Sequence, residues 1–219
     1  MKLGCPYGAG QAGVEAKVRS VELQPEDALE IVLGHPASRQ VVFAGPFGVG
    51  KTTALRAISE IPVVNTDVAS RELDTAQRTG GKTTTTAGFD YGEFRLAAGE
   101  RVAVFGLPGQ ERFDAMWDLL VPASAAVVLW AYGDQAEGVN QCATWLRALG
   151  QRASLLRVAV AVSRLPLAAQ EAGLAPYRAL VQRLHPLAVV QAADPRAAED
   201  VRRMVAAALT ALPGAVRGD

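Results

Sequence analysis

The 219-residue chain balances 22 Lys plus Arg against 22 Asp plus Glu, and half of its side chains are apolar. That length can bury one good core, which favours a single domain. The zero formal net charge excludes the broad basic footprint that nucleic acid or an anionic membrane would select.

Cys5 and Cys142 are too few and too far apart for a disulfide framework or a zinc site, so a reducing, cytoplasmic setting is expected. No apolar stretch precedes Cys5, no run reaches the length of a membrane span, and residue 2 is not Gly. The Arg217-Gly218-Asp219 ending holds no prenylation cysteine. Neither a secretion signal nor a direct membrane anchor is expected.

In chain order, Val14 to Leu23 has a period-two pattern, and Pro25 opens a helix over Glu26 to Leu33 that Gly34-His35-Pro36 ends. Gln40 to Ala44 reads as a buried strand, followed by a glycine-rich turn and a helix over Thr52 to Glu60. A polar stretch fills Asn65 to Thr86. Phe89 to Leu96 and Arg101 to Phe105 then read as two strands joined by a short turn. Ala125 to Ala131 and Leu156 to Val162 are near-continuous apolar runs, with a shorter one at Leu187 to Val190. Such runs suit parallel strands buried on both faces. The final helix places Val201, Met204, Val205, Ala208, Leu209 and Leu212 at i, i+3, i+4 spacing, with Asp194-Pro195 at its start and Gly214 at its end. The expected organisation is an unassigned extension over 1–38, an α/β domain over 39–214 and a tail over 215–219.

Gly45-Pro46-Phe47-Gly48-Val49-Gly50-Lys51-Thr52 matches GxxxxGK[ST] between a predicted strand and a predicted helix, the context this motif requires. Glycines let backbone N–H groups turn inward around an anion, and the helix N-terminus favours negative charge. Gly45, Gly48, Val49, Gly50, Lys51, Thr52 and Thr53 are therefore the expected phosphate-binding residues. Lys51 would reach the β- and γ-phosphates, and the Thr52 hydroxyl would be a Mg²⁺ ligand.

Further on, Gly109-Gln110-Glu111-Arg112-Phe113 follows a strand through Phe105-Gly106-Leu107-Pro108, and Thr86-Ala87-Gly88-Phe89-Asp90-Tyr91 lies upstream. The first resembles the third motif of Ras-superfamily GTPases, the second the element after their switch I. The tract Lys82-Thr83-Thr84-Thr85-Thr86 most resembles bacterial small Ras-like GTPases associated with roadblock-type partners, such as conservon and gliding-motility polarity GTPases. The resemblance spans about Gln40 to Leu212. It implies a P-loop NTPase fold, a Ras-like three-layer sandwich whose mostly parallel sheet has one antiparallel edge strand. It also implies GTP or GDP and Mg²⁺ as ligands, Thr86 as a second Mg²⁺ contact (Thr84 and Thr85 offer competing hydroxyls), and Gln110 with Lys51 as catalytic residues. Gly109 would bring its backbone N–H to the γ-phosphate. Slow GTP hydrolysis and a roadblock-type or other bacterial signalling partner follow as expectations.

Two positions depart from the family pattern. Gly106 stands where most members carry the Asp of DxxG, so weaker Mg²⁺ binding is expected. The base-reading NKxD motif is replaced by Ser163-Arg164-Leu165-Pro166, which removes the carboxylate that accepts two hydrogen bonds from guanine. Asp194 stands either in the fifth motif or as a helix cap. Two alternatives to a GTP switch follow: a non-catalytic, degenerate GTPase that serves as a scaffold for partners, and an ATP-dependent or base-nonselective NTPase.

Overall fold

The computed structural model describes residues 39–65, 89–96, 99–109, 121, 126–152 and 156–218. The expected elements before residue 39, the threonine tract with Thr86, and Gln110 lie outside the described residues.

Strand β1 (Arg39–Ala44) leads through the glycine-rich loop into helix α1 (Lys51–Ile58) and the two-residue strand β2 (Val64–Asn65). Strands β3 (Asp90–Arg95), β4 (Arg101–Gly106) and β5 (Ala126–Tyr132) follow, then α2 (Gly138–Arg152), β6 (Arg157–Ser163) and α3 (Gln170–Leu184). Strand β7 (Val189–Ala192) and helix α4 (Ala198–Thr210) complete the series. The seven strands lie in the order β2-β3-β4-β1-β5-β6-β7. β4, β1, β5, β6 and β7 are mutually parallel, whereas β3 runs antiparallel to β4 and carries β2 on its outer side. One reversed strand near the edge of a parallel sheet is the arrangement expected from the sequence.

The apolar runs of β1, β5 and β6 are continuous because both faces of the sheet are covered, while their period-two alternation divides them between two cores. Val42, Ala103, Phe105, Val127, Leu129 and Val160 face one way, toward the buried stripes of α2 and α3. Val41, Phe43, Val104, Val128, Trp130 and Ala161 face the other way, toward Leu55 and Ile58 of α1 and Val201, Met204 and Val205 of α4. The result is three layers. Leu146 of α2 is fully buried in the first core, so Leu146→Ala is expected to cost about 2–5 kcal/mol of stability, read as a lower urea midpoint. The Cys142 thiol shares that core, and burial pushes its pKa up to about 12. In a Cys5→Ser background, thiol reagents are expected to label the folded chain only at the rate of its unfolding.

The last helix begins later than the sequence suggests. Ala197, which makes no side-chain cap bond, stands before Ala198, and Asp194 lies upstream in a turn whose carbonyl accepts the Ala197 N–H. Beyond the helix, the Gly214 and Leu156 backbones exchange hydrogen bonds and the Arg217 N–H donates to the Leu184 carbonyl at 2.7 Å.

Candidate functional site

The glycine-rich loop, Gly109 and the segments after β5, β6 and β7 follow the carboxyl ends of parallel strands, and Asp90 opens the antiparallel β3 at the same edge of the sheet. The chain fills the sheet on one side of β1 with β2, β3 and β4, then crosses to the other side for β5 to β7. The crevice of a doubly wound sheet opens at such a reversal. The phosphate-binding motif leaves β1 there and closes into α1.

The loop is held from outside by its carbonyls. The Lys51 ammonium donates to the carbonyls of Gly45 (2.7 Å) and Pro46 (2.9 Å). The Tyr132 hydroxyl, at the end of β5, donates to the Phe47 carbonyl at 2.7 Å, and the Arg164 guanidinium to that of Gly48 at 2.8 Å. With successive carbonyls engaged and Gly45, Gly48 and Gly50 at positive φ, the amides are the groups left to face an anion. Those of Gly48, Gly50, Thr52 and Thr53 have no acceptor among the described residues. This is a nest of donors on a helix N-terminus. Tyr132 is itself anchored, since the buried Tyr177 hydroxyl of α3 donates to its carbonyl.

A cavity of about 270 Å³ opens above the loop, lined by Phe47, Lys51, Thr52, Asp90, Gly106 and Gly109, among others. Gly109 touches the loop directly: a Cβ there would lie 2.4 Å from the Phe47 nitrogen and 2.6 Å from its Cα. Only glycine allows that approach, so Gly109→Ala is expected to displace the loop and lower nucleotide affinity by about tenfold, measured by titration calorimetry.

The neighbouring strand places a carboxylate beside the glycine at position 106. Asp90 of β3 pairs in register with Gly106 of β4, and a Cβ on Gly106 would stand 3.0 Å from the Asp90 Cβ and 3.2 Å from its Oδ2. The Thr52 hydroxyl donates to that same Oδ2 at 2.5 Å. A carboxylate and a hydroxyl thus meet between the loop and the cavity, a hard-oxygen pair that fits Mg²⁺, which takes few protein ligands and keeps several waters. Among the described residues, no group of three His, Cys, Asp or Glu offers an alternative metal cage. Asp90 lies in the segment whose sequence resembles the element after switch I, but its pairing with Gly106 is visible only in the folded sheet.

On the other side of the loop lies a cleft of about 610 Å³, bounded by Gly48, Gly50 and Thr53 and by the segments after β6 and β7. Here the residues that replace NKxD take separate roles. The buried Ser163 hydroxyl donates to the Ala131 carbonyl at 3.1 Å and lies 3.5 Å from that of Val49. Arg164 has a φ of 60°, a left-handed conformation that costs about 1–2 kcal/mol outside glycine. Its side chain, bonded to the Gly48 carbonyl, lies 4.8 Å from the Tyr132 ring centroid and 3.7 Å from Asp134. Pro166 lines the cleft without a side-chain acceptor. Asp194 also lines the cleft; the Arg196 guanidinium bonded to it holds its carboxyl below the ordinary carboxylate range. It does not cap α4.

Comparison with known proteins bears on the fold. The profile of a family described as "Conserved hypothetical ATP binding protein" matches residues 43–131, from β1 through β5. No curated protein sequence matches the chain. Among solved structures, a bacterial selenocysteine-specific elongation factor, EF-Sec, aligns with a TM-score of 0.57 at 15% identity, over 78% of this chain and 28% of that one. The chain therefore spans little more than a quarter of the factor. The G domain of the T. maritima FeoB iron transporter aligns with a TM-score of 0.51 at 17% identity, over 78% of this chain and 99% of that one. The cytosolic domain of the same transporter, in its GMPPNP form, gives 0.53 at 16% identity, over 83% and 68%. At these identities the likeness concerns the fold alone, an α/β fold shared with these solved structures.

Proposed function

We propose that the chain is a small Ras-like nucleotide switch that binds a Mg²⁺-complexed nucleoside triphosphate, GTP by its family resemblance, and hydrolyses it slowly. The observation that carries this reading is the convergence of Lys51, the amide nest, the Thr52–Asp90 pair and Gly109 on one cavity. Phosphoryl transfer needs little covalent participation from the protein; positioning and charge stabilisation do most of it.

The loop amides and Lys51 hold the phosphate chain. Thr52 is the expected direct metal ligand, and Asp90 orients it and the metal's water shell in place of the absent DxxG carboxylate. When bound, Mg²⁺ neutralises charge on the β- and γ-phosphate oxygens. Gln110 orients water for in-line attack on the γ-phosphorus. The bond from that phosphorus to the β,γ-bridging oxygen breaks, the diphosphate leaves with the electron pair, and the proton of the attacking water ends on inorganic phosphate or solvent. Thr86 would supply the second hydroxyl to the metal. The roles of Thr86 and Gln110 rest on the sequence motifs. A roadblock-type or similar signalling protein is the proposed partner, reading the segment around Gln110.

The test is single-turnover hydrolysis of MgGTP by the full chain. Turnover on the order of 10⁻⁴ per second, the unassisted scale of such enzymes, that falls at least tenfold in Gln110→Ala while binding persists would support the switch. Phosphate release unchanged in Lys51→Ala would overturn it. Tight binding without any release would identify the non-catalytic scaffold.

A further inference from the structure

The 610 Å³ cleft beside the loop holds two carboxylates, at Asp194 and Asp200, and both are already engaged. Asp194 Oδ1 accepts from the Arg196 backbone N–H (2.9 Å) and Nε (3.0 Å), while Oδ2 accepts from Nε (3.2 Å) and Nη2 (2.8 Å). The Arg196 backbone N–H, Nε–H and Nη2–H between them engage both Asp194 oxygens. Asp200 Oδ2 accepts the Asp194 N–H at 2.9 Å, and its Oδ1 pairs with Arg203 Nη2 at 2.8 Å. Guanine presents two adjacent donors, N1–H and the N2 amine, and an uncommitted carboxylate that accepts from both distinguishes it from purines that lack them. Position 166, where the family keeps that carboxylate, is Pro.

Besides those acids, Thr53, Arg164 and Arg196, one further polar side chain lines the cleft: Gln170, the first residue of α3. Its carboxamide makes no hydrogen bond among the described residues. An amide carries a donor and an acceptor side by side and can rotate to exchange them. Facing adenine, its oxygen accepts from N6 and its NH₂ donates to a ring nitrogen. Facing guanine or hypoxanthine, the NH₂ donates to O6.

We propose that the cleft reads its base through the Gln170 carboxamide while Arg196 masks Asp194, so that the site accepts adenine and guanine nucleotides alike and ignores the N2 amine. The inference rests on the nucleotide-binding reading above and specifies its substrate class as purine nucleotides without regard to the 2-amino group.

Titration calorimetry of the full chain with GDP, IDP and ADP in Mg²⁺ decides it without any variant. IDP is GDP without the N2 amine, and a hydrogen bond to a charged acceptor is worth roughly 10- to 100-fold in affinity. GDP and IDP affinities within fivefold of each other, with ADP also within tenfold of GDP, support the proposal. GDP binding more than fivefold tighter than IDP would overturn it by revealing a carboxylate on the amine. ADP binding more than tenfold weaker than GDP would overturn it by revealing selective reading of O6. Two variants test the named residues: Gln170→Glu and Arg196→Ala are each expected to raise the GDP-to-IDP affinity ratio at least tenfold, by supplying or unmasking a carboxylate. A ratio that stays unchanged in Gln170→Glu would overturn the assignment of Gln170. If no nucleotide binds, the reading of the whole site falls with this one; if binding is Mg²⁺-dependent and lost in Lys51→Ala but GDP-selective, only this inference falls.

Discussion

Lys51→Met is expected to lower affinity for MgGTP by about 2–5 kcal/mol, roughly 30- to several-thousand-fold, the usual cost of truncating one partner of a buried charge pair. The physical case is local. Lys51 is 8% exposed, and its ammonium is fixed by the Gly45 and Pro46 carbonyls beside the amides that would face the phosphates. Methionine keeps the stem that packs at the head of α1 while removing the charge. Calorimetric titration reads the affinity, and thermal unfolding without nucleotide checks that the loop survives. An affinity within threefold of the native value would mean that phosphates bind elsewhere.

Exchange of the acidic residue between strands is the second large effect. Asp90→Asn is expected to weaken the Mg²⁺ dependence of nucleotide binding by about 10- to 100-fold, as outer-shell substitutions at metal sites do. Gly106→Asp alone would force a second carboxylate against the first, since its Cβ would meet the Asp90 Cβ at 3.0 Å. That crowding and like-charge contact should cost about 1–3 kcal/mol of stability. The double variant Asp90→Gly, Gly106→Asp relocates the group across the same strand pair and is expected to recover Mg²⁺ affinity to within about fivefold of native, because both positions face Thr52 from adjacent strands in register. Mg²⁺ titrations of nucleotide binding in the four proteins measure this. If Asp90→Asn leaves the dependence unchanged, the carboxylate is only a partner for the Thr52 hydroxyl.

These two residues differ in how far they could be read from the chain. Lys51 sits in a contiguous motif, where an eight-residue spacing encodes a loop, a helix start and a charge together; in the fold it is the first residue of α1. Asp90 lies in a recognisable segment, yet its role depends on Gly106, sixteen residues later, and on the antiparallel pairing of β3 with β4. A one-residue slip of that register would turn Asp90 to the opposite face. The same holds for Arg164, which in the sequence stands within a lost base-reading motif and in the fold braces the loop through Gly48, Tyr132 and Asp134. Asp194 read equally as a cap or a motif residue; its guanidinium partner two residues on settles the geometry, because α4 starts beyond reach at Ala198.

By itself, the sequence determined what short-range chemistry can write: the phosphate loop, the alternation of strands and helices, the doubly buried runs of β5 and β6, and hence the layered sheet with its site at the strand ends. Those features depend on periodicity and on residues within one turn or one loop of each other. Only the tertiary structure decided how separate segments act together, with a carboxylate opposite a glycine, a tyrosine and an arginine tying down one loop, and a cleft whose two acids are each held by an arginine. Such pairings depend on strand register and on which side chains meet across the switch in the sheet, and neither is encoded by the spacing of residues along the chain.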